Sequence, residues 1–325
     1  MNEPILIVGG AGYIGSHIVQ QLQAAHEKTI VLDNLSTGFV EAIPNSELVI
    51  ADCGDQALTG QLIKKHQIKT VIHLAAHTQV AESLLNPLKY FNNNTLKTYQ
   101  LFECCATHGV KNVIYSSTAA VYGIPSTNNV DEESELRPIN PYGSSKLMGE
   151  MFLREIAKAT GLKAVILRYF NVAGANVSGL IGPLSKNSTT LIKIIAEVVA
   201  GKRDFIEIFG TDYDTADGTC VRDYIHVDDI AAAHLNAMSY LREGGDSVTL
   251  NCGYGKGFSV REVITAAQIV SGKAIKVVES ARRAGDPPCV IAQAKQIKKL
   301  LSWMPSFDNL DTIVRSAIEW EIKQR

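Results

Sequence analysis

Four aliphatic residues, Ile5-Leu6-Ile7-Val8, run straight into Gly9-Gly10-Ala11-Gly12-Tyr13-Ile14-Gly15-Ser16, and that junction admits few folds. The aliphatic run reads as a buried strand. Ile14, Ile18, Val19 and Leu22 then recur at helical spacing. Gly9, Gly12 and Gly15 fall three apart, giving G-x-x-G-x-x-G in place of the commoner G-x-G-x-x-G. The physical demands are the same: a tight turn, close backbone approach to a pyrophosphate, and a helix N-terminus aimed at it.

The next strand-like run, Lys28 to Leu32, ends in Asp33-Asn34, and Asp33 lies 18 residues after Gly15. A dinucleotide fold places its ribose-binding carboxylate near that point. A carboxylate there accepts hydrogen bonds from ribose hydroxyls and repels a 2′-phosphate. No arginine sits beside Asp33, so the expected cofactor is NAD, not NADP.

Strand-like runs near 4–8, 28–33, 47–51, 70–75, 112–117 and 163–169 alternate with helical patterns near 13–24, 55–66, 80–108 and 143–160. That alternation implies right-handed crossovers and an α/β, Rossmann-type, doubly wound parallel sheet. The small residues Ala75, Ala76, Ser116 and Ser117 at strand ends suit a ligand crevice along the carboxyl edge. After about residue 171 the rhythm breaks into a loop from Gly174 to Ser188 and shorter mixed elements. The expected organisation is a cofactor-binding domain over 1–172 and a smaller mixed α/β substrate lobe over 173–325. The segment near 222–240 is expected to pack back on the first domain.

Tyr142 and Lys146 are four apart after Pro141, which places both on one face of a helix. An ammonium beside a phenol stabilises the phenolate, so a group with a pKa of ~10 becomes a usable general base near neutral pH. The strand before this helix ends in Ser116-Ser117-Thr118, where a hydroxyl can meet a substrate oxygen beside Tyr142.

The glycine loop, the hydroxyl-ended strand and the Tyr142/Lys146 pair, in this order, resemble the extended short-chain dehydrogenase/reductase family. The likeness covers nearly the whole chain. It continues through Arg168-Tyr169-Phe170-Asn171, Val221 to Asp229 and Arg282-Arg283-Ala284-Gly285-Asp286-Pro287, which are similar to the UDP-glucose 4-epimerase branch. The resemblance implies NAD-dependent 4-epimerisation of a UDP-hexose through a transient 4-keto sugar. It implies that Thr118, Tyr142 and Lys146 are catalytic. Gly9, Gly12, Tyr13, Ile14, Gly15, Asp33, Asn34, Asp52, Cys53, Leu74, Ala75, Ala76, Asn94, Ser116 and Tyr169 would line the cofactor, together with Tyr142 and Lys146. Asn171 and Leu191 would touch the substrate, Arg222 and Arg283 its diphosphate, and Asp286 the uridine ribose. Guanidinium forks suit a diphosphate well.

Sibling chemistries need further acid-base groups. Hexose dehydratases carry Asp-Glu after the threonine and decarboxylases a glutamate, whereas this chain has Ala119-Ala120. A non-catalytic NAD-binding regulator would be expected to lose the tyrosine or lysine. Thr78, Thr190 and the Gly182–Ser188 loop depart from the bacterial pattern. Val290 stands where some relatives have a bulky tyrosine, which leaves room for an N-acetylated sugar. The family also implies a homodimer through the long helices near 80–108 and 143–160.

Bulk properties narrow the partners. With 325 residues, 46% hydrophobic, 20% charged and a net charge of −2, nothing favours nucleic acid. The N-terminal residues lack the charged-then-apolar order of a secretion signal, so none is expected; no apolar run reaches membrane-spanning length, and six cysteines occur without a C-x-x-C pair. The expectation is a cytoplasmic protein with free thiols. His73 and His77 flank the end of a strand-like run, so no metal site is expected.

Overall fold

The computed structural model describes residues 3–185 and 188–324. Seven parallel strands form the main sheet, in the order Val248–Cys252, Lys163–Tyr169, Asn112–Thr118, Thr70–His73, Ile5–Val8, Thr29–Asp33, Glu47–Ile50. Alternation along the strands explains why so apolar a run as Ile5–Val8 is stable. Ile5 and Ile7 enter one buried cluster with Ile18 and Ile230, while Leu6 and Val8 enter another with Ile63 and Phe102. Helices thus cover both faces. One edge strand, Val248–Cys252, comes from beyond residue 173 and pairs with Lys163–Tyr169. The Val227–Arg242 helix packs against the Tyr13–Ala24 helix that follows the glycine loop.

The expected helix near 80–108 is not continuous. It resolves into Val80–Leu85, Pro87–Tyr90, a π-helical turn Phe91–Leu96, and Lys97–Thr107. Pro87 has no N–H to continue the first helix, so the chain breaks at Asn86 and restarts. The wide turn carries Asn94 inward, buried to 1% exposure.

Beyond the main sheet, Val221–His226 is the hub of the remaining strands. Its first half pairs with Gly257–Ser259 and Cys289–Ala292, and its second half pairs with Asn171–Ala173. Ile206–Phe209 pairs separately with Val277–Ser280. Residues 186–187 of the Gly182–Ser188 loop lie outside the described residues. Among the described residues no helix is long and apolar enough to cross a membrane, and no three His, Cys, Asp or Glu are grouped to hold a metal ion.

Candidate active site

The glycine turn is built without room for side chains. Gly9 has φ +83°, and a Cβ there would lie 2.5 Å from the Ala75 amide nitrogen. A Cβ on Gly15 would lie 2.3 Å from the Gly9 carbonyl oxygen, whereas one on Gly12 would meet only that oxygen, at 3.3 Å. Gly12 precedes the Tyr13–Ala24 helix and supplies no capping side chain, so the first-turn N–H groups at Tyr13 and Ile14 keep their positive end. Leu74 and Ala75 both donate to the Val8 carbonyl, at 2.8 and 3.1 Å, and Ala76 follows them along the carboxyl edge of the sheet.

Asp33 ends its strand with 7% exposure. It accepts from the Ala11 amide at 3.0 Å and the Leu35 amide at 2.9 Å, one on each oxygen. A carboxylate has about four acceptor positions, so each oxygen retains one. Asp52 accepts from Gly54, Asn34 and Lys97, and the adjacent Cys53 thiol is pushed up to about 12, chiefly by burial. Lys97, which no sequence pattern singles out, ties the helix after the π-turn to this edge. The fit to a dinucleotide is therefore structural: a helix start with uncapped amides, a turn that excludes Cβ atoms, and a carboxylate with acceptor capacity left.

The Pro141–Thr160 helix starts cleanly because Asn140 accepts from the Gly143 amide at 2.9 Å and Pro141 needs no N–H partner. Two glycines set its distance from the Asn112–Thr118 strand. A Cβ on Gly143 would lie 2.6 Å from the Ala120 carbonyl oxygen, and one on Gly149 would lie 2.3 Å from the Tyr115 hydroxyl. Glycine inside a helix costs about 1 kcal/mol relative to alanine, so both positions carried a readable signal of close approach. The result sets half-buried Tyr142 against the Thr118 hydroxyl and places the Lys146 ammonium 4.3 Å from the centre of the Tyr115 ring.

The expected depression of the tyrosine by the lysine is not what the protein alone produces. Burial pushes the Tyr142 phenol up, and the hydrogen bond from Thr118 opposes it. The lysine takes the larger perturbation: burial lowers Lys146 to about 7, partly offset by the carboxylate of Glu150. Desolvation penalises whichever form is charged, and here it acts on both partners.

Glu150 has 0% and Arg168 2% exposure, and they form a two-pronged pair at 2.8 and 3.0 Å. Ser117 and Arg154 also donate to Glu150, while Arg168 reaches the Tyr122 hydroxyl at 2.9 Å. Tyr169 is the register partner of Thr118, close to Ser116, and its hydroxyl bonds His234. Asn94 is used up internally. Its amide oxygen accepts from His77 and Asn93, and its NH₂ donates to the His77 carbonyl and Ser145, which fills all four positions. Tyr90, also missed by sequence reasoning, packs edge-on to Tyr142 at 6.4 Å between ring centres.

The remaining residues lie on the other side of the junction. Asn171 is exposed at the start of its strand, and Leu191 opens the Leu191–Val199 helix, preceded by an exposed Thr190. Thr78 is exposed too. Arg222 is half-buried, donates to the Val221 and Pro288 carbonyls, and has Val290 as its strand partner. Arg283 and Asp286 bond each other at 2.9 Å, with the guanidinium 4.9 Å from the Phe209 ring centre.

Comparison with known proteins identifies the family. The model of the NAD dependent epimerase/dehydratase family matches residues 5–253. A UDP-glucose 4-epimerase of Azospirillum brasilense is 48% identical over 98% of this chain and 91% of its own length. Among solved structures, the UDP-glucose 4-epimerase of Brucella ovis in complex with NAD is 41% identical with a TM-score of 0.95, covering 99% of both chains. The UDP-Glc/GlcNAc 4-epimerase of Campylobacter jejuni is 49% identical with a TM-score of 0.86, covering 100% of both. The chain belongs to the NAD dependent epimerase/dehydratase family.

Proposed function

We propose that this protein catalyses the NAD-dependent 4-epimerisation of a UDP-hexose, interconverting UDP-glucose and UDP-galactose. The observation that carries this reading is Tyr142 beside Thr118 at the carboxyl edge of the sheet, with Lys146 one turn further along the same helix. Bound NAD supplies the acceptor and donor for the hydride of carbon 4. Tyr142 holds the proton of the 4-oxygen while that carbon is oxidised, and returns it when the carbon is reduced on its other face. Thr118 hydrogen-bonds the same oxygen and fixes its direction. Lys146 binds the ribose next to the nicotinamide, one helical turn from the phenol. Ala119 and Ala120, in the short turn after Thr118, bring no further proton-transfer group, which favours return of hydride over elimination.

Gly9, Gly12, Tyr13, Ile14 and Gly15 hold the pyrophosphate through backbone amides, and Asp33 with Asn34 takes the adenosine ribose. Arg222 and Arg283 grip the substrate diphosphate, and Asp286, which pairs with Arg283, takes the uridine ribose. A nucleotide fixed in this way leaves the sugar free to present either face.

We read the protein as a homodimer in a reducing, cytoplasmic compartment. Leu96 at the end of the π-helical turn, Tyr99 on the Lys97–Thr107 helix, and Met148 and Met151 on the Pro141–Thr160 helix are exposed apolar side chains suited to meeting a second copy. All six cysteines are free and buried. A second reading, acceptance of N-acetylhexosamine nucleotides, is favoured by the small Val290 beside Arg222.

Supplying UDP-galactose without added dinucleotide tests the main reading. Formation of UDP-glucose at equilibrium is expected. No conversion by folded protein with cofactor bound would overturn it.

A further inference from the structure

The Tyr13–Ala24 helix aims Tyr13, His17 and Gln21, spaced four apart, at the junction with the second half of the chain. The Tyr13 hydroxyl donates to the Gly174 carbonyl at 2.6 Å, and Gln21 donates to the Asp228 carbonyl at 2.9 Å. Gly174 is held from the far side as well. It has φ +89°, and a Cβ there would lie 2.8 Å from the His226 ring and 2.9 Å from the Ser316 hydroxyl. Asn171, the substrate-facing candidate, is three residues upstream and opens the Asn171–Ala173 strand that immediately precedes Gly174.

His17 and Asp228 make the chemistry of this junction specific. Among the described residues His17 Nε2 and Asp228 Oδ1 have no hydrogen-bond partner, yet the side chains are 0% and 5% exposed and the two atoms are 4.0 Å apart. His17 Nδ1 lies 2.8 Å from the Tyr13 carbonyl, an acceptor, so Nδ1 carries the proton. Burial holds His17 down at about 4, which keeps the ring neutral. Nε2 is then a lone pair facing a carboxylate. Two acceptors cannot bond each other, and a species with two O–H donors satisfies both.

We propose that Tyr13 and His17 are positioning residues that fix the substrate-side strand against the cofactor helix, through the Tyr13–Gly174 hydrogen bond and one buried water shared by His17 and Asp228. Tyr13 thus serves twice: its backbone faces the pyrophosphate, and its phenol sets where Asn171 stands relative to the cofactor. The inference rests on the epimerase reading above.

Tyr13→Phe removes one hydroxyl and leaves the backbone amide in place. The expected result is unchanged NAD content and UDP affinity, with kcat on UDP-galactose reduced about tenfold, since small misplacements near a reaction centre are costly. A kcat within twofold of wild type, or a loss that simply follows NAD loss, would overturn the positioning role. Asp228→Asn puts an amide donor where the water donates, whereas Asp228→Ala does not. Rescue of kcat by asparagine relative to alanine is expected, and equal behaviour of the two variants would reject the bridge. A crystal structure should show a water between His17 and Asp228; a metal cation there, or direct imidazole–carboxylate contact, contradicts it. Wild-type protein assayed in parallel separates the two readings, because inactivity of wild type rejects the epimerase assignment and unimpaired Tyr13→Phe rejects only this one.

Discussion

The Lys146 ammonium lies 4.3 Å from the centre of the Tyr115 ring, and the helix that carries it comes this close because position 149 has no side chain. Tyr115 is fully buried, stacks on His73 and packs edge-on to Phe102, so it cannot withdraw. The glycine therefore sets where the lysine stands. Gly149→Ala is expected to cost about 1–3 kcal/mol by overpacking and to lower turnover by moving Lys146. Thermal melting and kcat on one preparation check this; wild-type values for both would contradict it.

The Glu150–Arg168 pair supports the same helix from inside. Removing one partner of a buried ion pair strands the other, at a cost of about 3–5 kcal/mol. Glu150→Ala should show that loss in a denaturant titration, because Arg168 at 2% exposure has no access to water. A loss below about 1 kcal/mol would mean that the guanidinium finds other partners.

What was legible in the sequence is what local pattern controls. The glycines, Asp33, Thr118, Tyr142 and Lys146 declare themselves because strand length, helical spacing and turn chemistry act over a few residues. Where pairing spans the chain, the sequence is silent. Glu150 meets Arg168, Tyr169 meets His234 and His17 faces Asp228 across separations that no periodicity encodes. The edge strand Val248–Cys252 was unread for the same reason, since its partner lies some 80 residues earlier. The break at Asn86-Pro87 was available, because proline ends a helix, but the apolar periodicity on both sides concealed it. The shift of the Tyr142 pKa depends on burial, which spacing does not report.

Acid should weaken the fold through its buried histidines. Burial lowers His17, His226 and His234 to about 4 each, against ~6.5 in an unfolded chain. Between those values the unfolded chain binds protons that the native state refuses, so stability is full above ~6.5 and is lost progressively as pH falls toward 4. Asp223, raised by burial to about 6, works the other way and offsets one histidine. A Tm at least about 5 °C lower at pH 5 than at pH 7 is expected, and a flat profile would contradict it.

Sugar selectivity should depend on position 290, whose small side chain is strand-paired with Arg222. Turnover of UDP-N-acetylglucosamine within about tenfold of UDP-glucose is expected, a gap of about 1.4 kcal/mol. Val290→Tyr should depress the acetylated substrate selectively. Negligible turnover of it by the unaltered protein would remove the second reading.

The most direct test is the rate of UDP-galactose conversion by Tyr142→Phe. A positioned general acid-base contributes roughly 10²–10⁴ in rate, so turnover should fall by that factor while NAD content and UDP affinity match the unaltered protein. Turnover within a few-fold of wild type would contradict the assignment of Tyr142 as the group that moves the proton of the 4-oxygen.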